Sequence, residues 1–458
     1  VQAVNDAFAR AVTEPDRVAV RSELTPQLWS REALPELKLA IVRGLLAEKS
    51  ERSREEIREE LRLNLPLQSS RMVVTEVCAA AAERGWTEYV PALVRTWAQP
   101  VPEIPDAERV ERAALLTLVP GTPVEETVFS VFINPPADTP ATRRMKLEER
   151  YRLAAWEVLS RLDPSGATRR SLLEKAATSA TPSPLAQDLL AAARELGVMP
   201  AYGEEALWVR RLRSPRSAAN SAWWTEVVAC VQSLSEEQKR GLALRHLEPI
   251  RWAKLNKPEW LSMNTAQLGA VLTQRLEGRP MYEPTGNRPL GKNKISEKLE
   301  DALPKMTYAD IVSVLVADEA LQAAGVADSL HTYAGYDQRD TKTEYGGLLQ
   351  AVAAESSGDG GFIATLYAPR PGDRFDDRRF VASQDMIDAS DRALVHWHFH
   401  VAERSNSSYA GPSMEDLDYA TRQGRTCMVL TSVDRERMNA DVFLPGNLIV
   451  DLGVVEKK

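Results

Sequence analysis

ALVHWHFHV, residues 393–401, is the stretch whose reading decides both fold and chemistry. Val395, Trp397 and Phe399 alternate with His396, His398 and His400. Successive side chains of a β-strand point to opposite faces. The apolar three therefore face a core, and the three imidazoles face the other way together. The chain has five histidines, so this one strand holds most of them. A single histidine here would read as a core residue satisfied by a hydrogen bond. Three on one face are harder to satisfy, because each buried imidazole needs partners for its polar atoms. A metal shared by two of them removes that difficulty.

Working outward, short β-rich runs are expected at 344–351, 361–368, 392–400, 426–432, 438–444 and 446–451. A helix at about 414–423 falls between the third and fourth. The pattern predicts an α+β domain with one helix inserted in a mostly antiparallel set of strands. GDGG at 358–361 reads as a hairpin turn, not a phosphate loop, since no helix follows it.

Zinc takes nitrogen, sulfur and carboxylate ligands in tetrahedral geometry and keeps an open position in catalytic sites. Imidazoles at i and i+2 near a strand end can reach one ion. His398 and His400 are the preferred pair because His400 lies nearest the strand end. The alternative register uses His396 and His398; otherwise His396 is a deeper supporting residue. Asp416, in GPSMEDLDYA, is the candidate third ligand. Ser413 reads as a helix N-cap, which puts Asp416 at the third helical position. A plainer role for Asp416 is favourable charge at that helix N-terminus. Glu344, in TKTEYGGLLQAV, precedes two glycines that permit close approach. A carboxylate near an open zinc position can accept a proton from bound water and pass it to a leaving amine.

These parts together resemble a family. EYGGLL, then HFH 54 residues after Glu344, then SMED, are similar to the pattern of the JAMM (MPN+ or JAB) metallopeptidases. The resemblance covers about residues 308–458. It implies a JAMM, cytidine-deaminase-like α+β fold, with His398, His400 and Asp416 binding zinc and Glu344 activating water. It also implies that Ser413 donates a hydrogen bond to the developing oxyanion; the N-cap is the rival role. The sequence departs from the family at Val401, where Pro is usual. It departs again in the long segment before Ser413, and in a Trp directly preceding the first His of the pair.

The first 250 or so residues read as helices, at 36–49, 72–84, 87–98, 107–118, 124–133, 142–162, 183–196, 217–233 and 235–246. Ser53-x-x-Glu56, Thr122-Pro123-x-Glu125 and Ser235-x-x-Gln238 read as capping boxes. Paired helices with Pro- or Gly-marked turns resemble an irregular HEAT-type α-solenoid; a compact bundle is the alternative. Trp86, Trp97, Trp156, Trp223 and Trp224 are expected in cores. Residues 278–294, rich in Gly, Pro and Asn, read as a linker or long loop, and 295–303 and 308–323 return to helical spacing. The expected organisation is a helical region at 1–277, a linker and connecting helix at 278–307, and the JAMM-like domain at 308–458.

Net charge is −8, which argues against a general electrostatic grip on nucleic acid. No apolar run approaches the roughly 20 residues that span a bilayer. Cys78, Cys230 and Cys427 form no CxxC pair and read as small buried hydrophobes. The chain begins at Val1, which implies that a leader peptide or another segment was removed. No signal sequence is visible, so cytoplasmic and exported locations both stay open. The loops holding Asp337 and Asp340, and Asp373, Asp376 and Asp377, read as solvated rather than calcium-binding. His331 could line the cleft, and His246 reads as a helix C-terminal residue favouring the dipole. The function expected is a zinc hydrolase cleaving a peptide or isopeptide bond, its helical region recognising a protein partner. The alternative is a binding or scaffold protein with a JAMM-like fold and no catalysis.

Overall fold

In the computed structural model, which describes residues 1–214, 217–282, 295–352, 361–374 and 380–457, the ALVHWHFH run forms strand β3. Six strands make one sheet: β1 (Gly346–Ala351), β2 (Phe362–Leu366), β3 (Ala393–His400), β4 (Cys427–Ser432), β5 (Arg437–Leu444) and β6 (Leu448–Glu456), in the order β2-β1-β3-β4-β5-β6. Every neighbouring pair is antiparallel except β3 and β4, which are parallel. Each strand begins within two residues of where alternation places it. β6 runs past its expected end at 451. Gly453, at φ +81°, and a register shift opposite it on β5 interrupt the alternation there without ending the pairing.

The chain divides into two compact units, Val1–Gln187 and Asp188–Lys458. In the second, Val395, Trp397 and Phe399 enter the main core with Leu349, Met428, Leu430, Ala440 and Val442. The helix Tyr308–Gln322 packs into this core and is buried on all sides, as its apolar run IVSVLVA requires. Ile250, Trp252, Leu268 and Leu272, from helices Leu247–Asn256 and Thr265–Leu276, belong to the same core. The helices Leu247–Asn256 and Thr265–Leu276 therefore pack with the sheet. The helix Ala324–Asp337 was not expected; its two glycines hide the helical spacing, yet Val326, Ala327 and Leu330 fill the core.

The first unit is a succession of helices. Tyr89, Trp97, Phe132 and Trp156 are buried in it, with the Phe132 and Trp156 rings 4.6 Å apart. Trp223 and Trp224 are buried in the second unit, while Trp86 is half-buried beneath Arg84. All three cysteines are free and buried, as small hydrophobes.

Two of the three expected capping boxes do not form, and the third opens turns. Ser53 lies inside the helix Glu51–Asn64, where its hydroxyl meets Glu14 at 3.1 Å. Pro123, not Thr122, caps Val124–Ile133, without a side-chain bond. Ser235 and Gln238 do exchange capping bonds (2.8 and 3.3 Å), but turns follow instead of a helix over 235–246. The Gln238 amide bonds the carbonyls of Leu261 and Met263, and Gly241 at φ +73° breaks the chain direction. The linker residues 283–294, the turn residues 358–360, and Asp376 and Asp377 lie outside the described residues.

His246 precedes the helix Leu247–Asn256 rather than ending one, and it is fully buried. Its Nδ1 accepts the Ala243 N–H at 2.9 Å, so Nε2 carries the proton and donates to Asp310 at 2.8 Å. A second proton would have to sit on Nδ1, against a donor. Burial, with Arg245 beside it, outweighs Asp310 and holds the His246 pKa down at about 4. Burial alone would raise Asp310, but His246, Arg245 and Thr307 reverse this and hold it well below the carboxylate range. The unfolded chain thus takes up this proton first as pH falls. The stability due to neutral His246 is complete above about pH 6.5 and is lost as pH drops toward 4, on the order of 3 kcal/mol. Urea unfolding at pH 7 and pH 4.5 should show a larger loss for the wild-type chain than for His246→Gln.

Candidate metal centre

Antiparallel pairing sets Gly346 opposite His398. The register continues past the end of β1, with the Phe399 N–H donating to the Tyr345 carbonyl at 3.1 Å. One step further brings Glu344 level with His400, on the imidazole side. The Tyr345 N–H is held by Asp337 at 2.6 Å, and its hydroxyl by Asp340 at 3.0 Å. Asp340 in turn receives Arg374. The loop read as solvated is therefore a brace for Glu344: Asp337 is 2% exposed. Both glycines are required by packing. A Cβ on Gly346 would lie 2.4 Å from the Phe380 ring, and one on Gly347 2.0 Å from the Thr365 carbonyl oxygen. Phe380 lies flat against His398, ring centroids 5.4 Å apart and planes 9° apart.

Parallel β3 and β4 cannot be joined by a tight turn; they need a crossover of a dozen or more residues. Here it is the segment 401–412 and the helix Met414–Gln423. Leu417 and Ala420 bury that helix on Cys427, Val429, Phe443 and Ile449, on the histidine face of the sheet. Its N-terminus thus sits over the end of β3. Ser413 is the N-cap: its hydroxyl accepts the Asp416 N–H at 3.2 Å, and Asp416 Oδ2 accepts the Ser413 N–H at 2.7 Å. Asp416 also reaches both imidazoles, with Oδ1 at 3.3 Å from His398 Nε2 and Oδ2 at 3.8 Å from His400 Nε2. The two roles weighed for Asp416 coexist.

Ligand atoms of Glu344, His398 and His400 all lie within 4.8 Å of one another. Burial alone would raise the Asp416 pKa, but the His398 and His400 imidazoles and the Ser413 N–H reverse this and hold it low, as a carboxylate. His396 is set apart. Its Nδ1 meets the Tyr419 hydroxyl at 3.0 Å, and burial with Arg425 nearby keeps it neutral. His331 does not line this site; its Nε2 meets the Val455 carbonyl at 3.2 Å, tying the Ala324–Asp337 helix to β6. Val401 is buried in the main core.

Buried His398 Nε2 makes no hydrogen bond in spite of the nearby Asp416 oxygen. Two imidazoles, two carboxylates and an orphaned nitrogen turned among them fit a cation with mixed nitrogen and oxygen preference. Residues that sequence reading missed are Asp337, Phe380 and Tyr409, whose carbonyl meets His400 Nδ1 at 3.3 Å. Searches against protein-family models, curated proteins and solved structures find no match to this chain.

Gly347→Ala should force β1 off either Thr365 or the Trp397 ring and cost about 3 kcal/mol, at the upper end for overpacking. A lowered urea midpoint checks this. An unchanged midpoint would mean the strand yields freely, and the close packing behind the site would lose its importance.

Proposed function

We propose that the Asp188–Lys458 unit is a zinc-dependent hydrolase of the JAMM type, cleaving a peptide or isopeptide bond, and that the helical region recognises a protein partner. The observation that carries this reading is the convergence of Glu344, His398 and His400, with Asp416 against both imidazoles. His398 and His400 would hold the ion through Nε2, and Asp416 through a carboxylate oxygen. When bound, zinc supplies Lewis-acid polarisation and lowers the pKa of water. Glu344 takes a proton from the attacking water as its oxygen bonds the carbonyl carbon. The C–N bond breaks, and Glu344 returns the proton to the leaving nitrogen. The Ser413 oxygen already accepts the Asp416 N–H, which leaves its O–H free to donate to the carbonyl oxygen.

A non-catalytic reading has one observation in its favour. Asp416 Oδ2 accepts the Ser413 N–H and completes the cap, a role that needs no ion. Metal content separates the two. The purified chain should hold about one equivalent of zinc, and His400→Ala and Asp416→Ala should release it. Less than about a tenth of an equivalent in the wild-type chain would sink the hydrolase reading.

Glu344→Gln should keep zinc and lose hydrolysis of peptide and isopeptide substrates by roughly 10²-fold or more. Loss of zinc would make Glu344 a ligand instead of the base. His396→Ala should leave zinc bound; the reverse pattern, release with His396→Ala and retention with His400→Ala, would move the site two residues along β3.

A further inference from the structure

We propose that Asn406 is a positioning residue for the metal centre, acting on His400 through the backbone carbonyl of Tyr409. This rests on His400 being a ligand. The segment 401–412 is the part that departs most from the resembled pattern, and Asn406 ties it to the ends of both β3 and β4. Asn406 is 8% exposed and makes three bonds. Its N–H donates to the Ser432 carbonyl at 2.7 Å, at the end of β4. Its side-chain Nδ2 donates to the His400 carbonyl at 3.1 Å, at the end of β3. Its own carbonyl accepts the Tyr409 N–H at 2.8 Å, closing the turn Ser407–Tyr409.

That turn aims the Tyr409 carbonyl at His400 Nδ1, 3.3 Å away. A carbonyl oxygen can only accept, so Nδ1 carries the hydrogen. Nε2 is then left with its lone pair, and Nε2 is the nitrogen that faces Asp416 Oδ2. Metal-binding histidines depend on such a partner behind the ring to set tautomer and orientation. The Tyr409 side chain is 48% exposed, so the main chain does this work and the side chain that places it is Asn406.

The test uses the full chain labelled with ¹⁵N-histidine, in wild-type, Asn406→Ala and Asn406→Asp forms. Asn406→Asp keeps the shape and backbone bonds but cannot donate to the His400 carbonyl, so it serves if the alanine variant fails to fold. Long-range ¹H–¹⁵N spectra of the metal-free wild type at pH 8 should show His400 protonated on Nδ1, and the variants a mixture of tautomers. Cobalt(II) should bind the variants about 10- to 100-fold more weakly, with altered visible bands. A wild-type His400 protonated on Nε2 overturns the proposal. So do variants with wild-type tautomer, affinity and bands while the wild type binds metal, and that outcome leaves the hydrolase reading standing. Failure of the wild-type chain to bind cobalt or zinc overturns both.

Discussion

The period of two along β3 is the constraint on which the second unit depends. It sends Val395, Trp397 and Phe399 into the main core and gathers the three imidazoles on the opposite face. A slip of one residue would bury the imidazoles in an apolar core and expose two large aromatics. The neighbours then follow. Antiparallel β1 brings Glu344 alongside through Gly346 and Tyr345, and parallel β4 demands a crossover that carries Asp416 over the strand end.

Such a face is costly to build, since polar groups buried without partners lose their hydration. The protein offsets this unevenly. His396 meets Tyr419 through Nδ1 and His398 lies under Phe380, and both leave a buried Nε2 without a hydrogen bond. His400 has a carbonyl behind it and a carboxylate before it. The unsatisfied nitrogen of His398 sits where the carboxylates gather, which is the pattern a cation would complete.

Much of this was readable locally. Alternation in ALVHWHFH and the Ser413-to-Asp416 spacing each need only a few neighbouring residues, and the strands and the capping box stand where the sequence puts them. The position of Glu344 depended on register between distant strands, so sequence could support it only through likeness to a motif. Asp337 looked like one more loop acid, because its partner is a main-chain N–H eight residues on. Tyr409 contributes a carbonyl, which has no side-chain signature at all. His246 was misassigned for a related reason: its helix begins at Leu247, and the expected helix ending there never forms beyond the Gln238 turn.

Asp416 shows why site and fold are hard to separate here. One oxygen completes the capping box, and the other faces His398. The cap is worth roughly 1 kcal/mol to the helix start, and the charge is favoured at that helix N-terminus. The helix is in turn docked by Leu417 and Ala420 on the same sheet face. Moving the carboxylate toward a metal would therefore pull on the cap, and the cap resists being moved. A group held in this way arrives at the imidazoles with its orientation already set, so little ordering remains to be done when a cation binds.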